Sequence, residues 1–91
     1  MQTTDIEREI RNFLVNNYLF GRSEALRDDE SLLDNVIDSS GVLELVVFLQ
    51  ESFAIVVDDE DVAPDNLESV KTVVAFVERK LATKAKLGSA I

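Results

Sequence analysis

Three stretches of this chain repeat their apolar residues at intervals of three and four, the spacing that gathers side chains onto one face of an α-helix. The first is Ile6, Ile10, Phe13, Leu14 and Tyr18; the second is Val42, Leu45, Val46, Leu49 and Phe53; the third is Val70, Val73, Val74, Val77 and Leu81. Each set is expected to face a common core. Only Ala54-Ile55-Val56-Val57 has the β-branched character of a strand, and one such run has no second run with which to pair. It reads as a connector. At 91 residues the chain is short for more than one core, so the expected fold is all-α. The architecture is a small antiparallel four-helix bundle with three long helices, one short third helix and a long loop between helices one and two.

Local signals set the expected boundaries. Thr4 followed by Glu7 fits a capping box and starts the first helix at about Asp5, while Gly21 tolerates the left-handed backbone that ends one. Residues 21–37 form the long loop, pinned to the core by Leu26, Leu32-Leu33 and Val36-Ile37, with room for a short helical turn and with Arg27-Asp28-Asp29-Glu30 outward. The second helix runs from Ser39 to Phe53. Leu43 and Val47 lie one turn apart beside Glu44, off the face needed for burial, and form a candidate contact strip. Pro64 suits the first position of a single turn near 64–68, and Ser69 suits the cap of the final helix. Arg79 and Lys80 near its expected end suit the negative pole of the helix dipole. From Ala82 to Ile91 the apolar pattern fades, and residues 83–91 are expected to be a flexible tail after a domain at 1–82.

Composition removes several classes of function. The chain has no cysteine and no histidine, which excludes a thiol nucleophile, a Ser-His-Asp triad and the usual zinc ligand sets. No enzymatic chemistry of its own is expected. No apolar run approaches the roughly 20 residues of a membrane span, and the first residues lack the blocks of a signal peptide, so a cytoplasmic monomer without membrane insertion is expected. Eighteen acidic against nine basic residues leave a net charge of −9, which repels nucleic acid and favours basic protein surfaces. Asp58-Asp59-Glu60-Asp61 with Asp65 lacks the glycine and terminal glutamate of a calcium loop, so no metal site is expected there. Glu44 and Glu51 have no neighbour in the sequence that would shift them toward acid–base work.

One segment carries a reactive group in a distinctive place: Val36-Ile37-Asp38-Ser39-Ser40-Gly41-Val42-Leu43-Glu44-Leu45 sets hydroxyls at the start of an amphipathic helix, just after the loop. A helix N-terminus offers unpaired amides and partial positive charge, which favour a phosphodiester attached at Ser39. Helix capping by Asp38, Ser39 or Ser40 is the other reading of the same residues, and the more common use of these types.

With this segment the chain resembles the acyl carrier protein family, small acidic four-helix carriers modified by 4'-phosphopantetheine on a serine. Asp38-Ser39 matches the first two positions of the family's Asp-Ser-Leu motif, Leu43-Glu44-Leu45-Val46 and Gln50-Glu51-Ser52-Phe53 follow in register, and Asp58 to Leu81 is similar to the acidic loop and last two helices. The resemblance implies that Ser39 is the attachment serine and Asp38 its motif partner. It further implies that Ser40, Leu43, Glu44, Val47 and Glu51 meet partner enzymes, and that acyl groups travel as thioesters on the arm. The implied partners are a phosphopantetheinyl transferase, an acyl-activating ligase or acyltransferase, and condensing enzymes of fatty acid, polyketide or other specialised biosynthesis. An acyl chain would lie near Val42, Val46 and Val74. Two positions depart from the pattern: Ser40 stands where leucine is usual, and Val36 where glycine often precedes the motif. Ser40 with Gly41-Val42-Leu43-Glu44-Leu45 looks more like a stand-alone carrier of a specialised pathway than the housekeeping fatty-acid carrier. The alternative is an unmodified acidic adaptor that binds a basic partner.

Overall fold

A computed structural model describes residues 3–22, 26, 27, 29 and 31–89, with side chains at all of these except 3, 35 and 84–89. Its elements are α1 (Thr3–Tyr18), α2 (Leu32–Asn35), α3 (Ser39–Phe53), a 3-10 turn (Asp59–Asp61), α4 (Pro64–Leu67) and α5 (Val70–Ser89). No strand occurs among the described residues. The bundle is all-helical, as the periodicity predicts, with α2 as the helical turn inside the long loop.

Ile6, Ile10 and Leu14 of α1, Leu45 and Leu49 of α3, Leu67 of α4, and Val70, Val73 and Val77 of α5 are fully buried around one core. Burying each such side chain contributes roughly 1.5 to 3 kcal/mol, so this shared stripe outweighs any local preference. Val15 and Phe76 are also buried, beyond the expected stripes, while Phe13, Tyr18 and Leu81 pack against the core only partly buried.

Helix α1 begins at Thr3, so Thr4 lies inside the first turn and the expected Thr4–Glu7 cap at its mouth does not apply. Glu7 instead accepts from Arg11 at 3.1 Å, and Asp5 pairs with Arg8 at 2.8 Å. At the other end the Gly21 amide donates back to the Val15 carbonyl at 3.0 Å, and both Phe20 (φ 53) and Gly21 (φ 80) are left-handed. Glycine closes the helix, with Phe20 sharing the reversal.

The loop is fastened as its apolar islands predict: Leu26, Leu32 and Ile37 are buried, and Leu33 and Val36 half-buried. Polar ties reinforce them, because the Arg11 guanidinium donates to the Leu26 carbonyl at 2.7 Å and the Leu32 amide donates to the Glu68 carbonyl at 2.7 Å. Arg27 and Asp29 are exposed, and Asp28 and Glu30 lie outside the described residues.

Helix α3 is turned slightly from the expected orientation. Its buried line is Gly41, Leu45, Leu49 and Phe53, and Val42 and Val46 are only half-buried. Gly41 explains the turn, since a Cβ there would stand 2.8 Å from Ile37 Cβ. Without a side chain the helix closes onto Ile37. Ala54 (φ 54) ends α3, and the following connector buries Ile55 and ties Val57 N to Gln50 Oε1 at 2.9 Å.

Pro64 opens α4 as expected, and Ser69 caps α5 through a bond from Thr72 N to Ser69 Oγ at 3.3 Å, returned by Ser69 N to Thr72 Oγ1 at 2.9 Å. Helix α5 continues to Ser89, past the end near Leu81 that the apolar pattern suggests. Arg79 and Lys80 are therefore mid-helix and reach sideways: Arg79 donates to Asn66 Oδ1 at 2.9 Å, and Lys80 meets Asp61 at 2.7 Å and Asp58 at 3.6 Å. Asp61 also accepts from the Asp58 amide at 3.0 Å.

The Lys80 ammonium holds the Asp61 carboxyl below its ordinary range, and the same bond raises Lys80. The depressed Asp61 contributes stability above about pH 4 that is lost as pH falls through its folded value; the raised Lys80 contributes stability below about pH 10.4 that is lost above its folded value. Lys80→Met should therefore lower Tm at neutral pH, with the gap from the parent protein narrowing at both extremes. Thermal unfolding followed by circular dichroism from pH 3 to 11 reads this directly.

Candidate attachment site at the start of helix α3

The buried Ile37 anchors the end of the loop, and the next residue turns the chain into α3. Asp38 is extended (φ −98, ψ −170), and its carboxylate accepts from the Gly41 amide at 2.8 Å while its carbonyl accepts from the Val42 amide at 3.1 Å. Asp38 is thus the N-cap. Of the three residues whose type suits a cap, this one takes the position, and the Ser39 hydroxyl is not used to close the helix.

Ser39 is the first residue of α3 and is exposed, as are Asp38 and Ser40. The cap bond satisfies Gly41 N, and the amides at the first two helical positions, Ser39 and Ser40, have no carbonyl four residues back within the helix. The first turn holds no acidic side chain. An anion esterified to Ser39 would therefore meet amide donors and the positive end of the dipole, worth about 0.3 to 1 kcal/mol at an exposed site. Ser40 lies about 100° further round the helix and points its hydroxyl in another direction.

Beneath this turn sits a run of aromatic rings. Tyr18 meets Phe13 edge-on at 6.0 Å, Phe13 stacks on Phe48 at 4.3 Å, and Phe48 meets Phe53 edge-on at 6.2 Å. The Tyr18 hydroxyl oxygen is 3.3 Å from the point a Cβ on Gly41 would occupy. The end of α1 and the start of α3 are thereby packed together through a glycine, a contact that residue spacing along either helix does not reveal.

The expected contact strip is on the surface: Leu43 is 66% exposed, Val47 is 49% exposed, and Glu44 and Glu51 are exposed. These four line one side of a groove of about 430 Å³ whose floor is Phe13 and Phe48. Ser40 is exposed one turn nearer the helix start, outside that lining. Phe48 had no place in the expected stripe, and its signal is its position three residues beyond Leu45. Val74 is buried on α5 and lines a groove of about 700 Å³ with Glu7, Arg27 and Lys71, while Val42 and Val46 are half-buried on α3.

Among the described residues no group of three or more His, Cys, Asp or Glu side chains is placed to hold a metal ion, and no helix is long and apolar enough to cross a membrane. The acidic segment at 58–61 is engaged by Lys80.

No family model matches the chain. A curated protein from Akkermansia muciniphila named acyl carrier protein is 32% identical over 79 residues, covering 87% of this chain and 96% of that protein. The probable acyl carrier protein PigG of a Serratia species is 27% identical over 86 residues, covering 93% of this chain and 99% of its own length.

Two substitutions test the local packing. Asp38→Ala should cost about 0.5 to 2 kcal/mol through loss of the cap. Gly41→Ala should cost about 1 to 3 kcal/mol, because the new methyl overlaps Ile37 and presses on the Tyr18 hydroxyl. Urea denaturation of the two variants beside the parent measures both.

Proposed function

This chain belongs to the acyl carrier protein family, and we propose that it carries acyl groups on a 4'-phosphopantetheine arm joined to Ser39 and delivers them to partner biosynthetic enzymes. The observation that carries the assignment to Ser39 is the division of labour at the helix start: Asp38 closes α3, so the neighbouring hydroxyl is exposed and uncommitted. The residues present suit a phosphate-linked group, with amide donors at the first turn and no acidic side chain there beyond the capping Asp38. Bound there, the arm supplies the terminal thiol for thioester chemistry that a chain without cysteine lacks.

The chain itself performs presentation and docking, and is non-catalytic. Leu43 and Val47 offer an apolar centre, and Glu44 and Glu51 on the same groove attract basic side chains of a transferase, an acyl-activating ligase or a condensing enzyme. Exposed charge pairs of this kind are weak and screened by salt, which suits a carrier that must leave each partner. Tethering raises the concentration of the acyl group at each partner without tight binding. The Ser40 position, polar where leucine is usual, favours partners of a specialised pathway.

Intact-mass analysis after incubation with coenzyme A and a broad-specificity phosphopantetheinyl transferase tests the attachment. The mass should rise by one phosphopantetheine in the parent and in Ser40→Ala, and stay unchanged in Ser39→Ala. An unmodified parent would instead favour an acidic adaptor. A companion measurement reads the docking face: Glu44→Lys with Glu51→Lys should raise the transferase KM about tenfold or more at low ionic strength, and added salt should shrink the difference.

A further inference from the structure

Tyr18 is the one tyrosine of the chain, and its hydroxyl is sealed from solvent beneath the first turn of α3 with no hydrogen-bond partner among the described residues. Ring packing against Phe13 would be served equally by phenylalanine. What the hydroxyl adds is a donor, and a buried donor without an acceptor is costly enough that a neighbouring acceptor within reach will be drawn to it.

Helix geometry identifies that acceptor. The hydroxyl oxygen lies 3.3 Å from where a Cβ of Gly41 would stand. Glu44 is three residues further on, on the same face, and helical side chains lean toward the N-terminus, so the turn its side chain covers is the one that holds the glycine. Gly41 puts nothing between them. Glu44 also lines the groove floored by Phe13, the ring against which Tyr18 packs.

We infer that Tyr18 is a positioning residue for Glu44: its O–H donates to the Glu44 carboxylate and holds that charge at the rim of the Phe13–Phe48 groove, oriented for a cationic side chain of the docking enzyme. The inference rests on the reading of α3 as the docking helix. Burial and then the Glu44 carboxylate raise the phenol above its ordinary pKa, with a smaller contribution from Asp38. Asp34 and Asp38 line a hollow beside the ring with Leu33, Val36 and Ile37. A freely swinging glutamate loses side-chain entropy when a partner's cation captures it; a glutamate already held loses less.

The test compares the parent, Tyr18→Phe, Glu44→Ala and the double variant in phosphopantetheinyl transfer from coenzyme A at low salt. Tyr18→Phe should raise KM about two- to tenfold with kcat unchanged, the range expected for one hydrogen bond, and should add almost nothing in the Glu44→Ala background. An unchanged KM in Tyr18→Phe, or an equal increase in both backgrounds, would overturn the inference. A second measurement needs no partner and no Tyr18 variant. With no tryptophan present, the chain's emission comes from Tyr18 alone. A carboxylate bonded to the phenol quenches that emission, so Glu44→Ala should brighten it; unchanged emission also overturns the pair. Brighter emission with KM unmoved in both variants keeps the pair but rejects its docking role, while the Ser39 mass assay reports on the carrier reading separately.

Discussion

The 2.8 Å hydrogen bond from the Gly41 amide to the Asp38 carboxylate sets the start of α3, and with it the character of the whole pole of the bundle. It converts an extended residue into a helix N-cap within one step and satisfies one of the amides that a helix start leaves open. Ser39, next in line, then occupies a helical position with its hydroxyl outward. Had a serine taken the cap, that oxygen would be accepting a backbone amide. The exposure of Ser39 is thus a consequence of which neighbour does the capping.

That cap is held in place from below. Ile37 is buried on its loop side, Gly41 allows α3 to close onto Ile37, and Tyr18 reaches the same turn from the end of α1. The rings of Tyr18, Phe13, Phe48 and Phe53 continue this contact along α3. Stacked and edge-on pairs contribute about 0.5 to 1.5 kcal/mol beyond their buried area, and they do so with little freedom of orientation. The same rings that seat the helix floor the groove bounded by Leu43 and Val47. Stability and surface shape therefore come from one set of side chains.

Electrostatics divides the molecule into two kinds of acid. Asp58 and Asp61 face Lys80, Glu7 faces Arg11, and Asp5 faces Arg8, so three of the nine basic residues serve to fasten turns or stiffen α1. Glu44 and Glu51 line an open groove on α3 instead. With the net charge at −9, the fold carries self-repulsion that the internal ion pairs offset only locally. Asp58 and Asp61 are paired within the chain, whereas Glu44 and Glu51 are exposed on α3.

Periodicity was enough for the all-helical class and the body of α3, the preference of proline for a first helical position located the turn at Pro64, and isolated apolar islands in the loop marked Leu26, Leu32 and Ile37 for burial. The Asp38-Ser39 pair was also visible as a place where chemistry and capping compete. The structure resolved that competition in favour of an Asp38 cap. Tertiary packing turned Gly41 inward ahead of Val42, set Val74 in a groove with Glu7 and Arg27, and drew Lys80 onto Asp61. Each outcome hinges on a contact between residues distant in the chain: Tyr18 against Gly41, Val74 beside Glu7 and Arg27, Lys80 on Asp61. Intervals of three and four specify a face to within roughly one residue, about 100° of rotation, and only the partner packed against that face removes the remaining freedom.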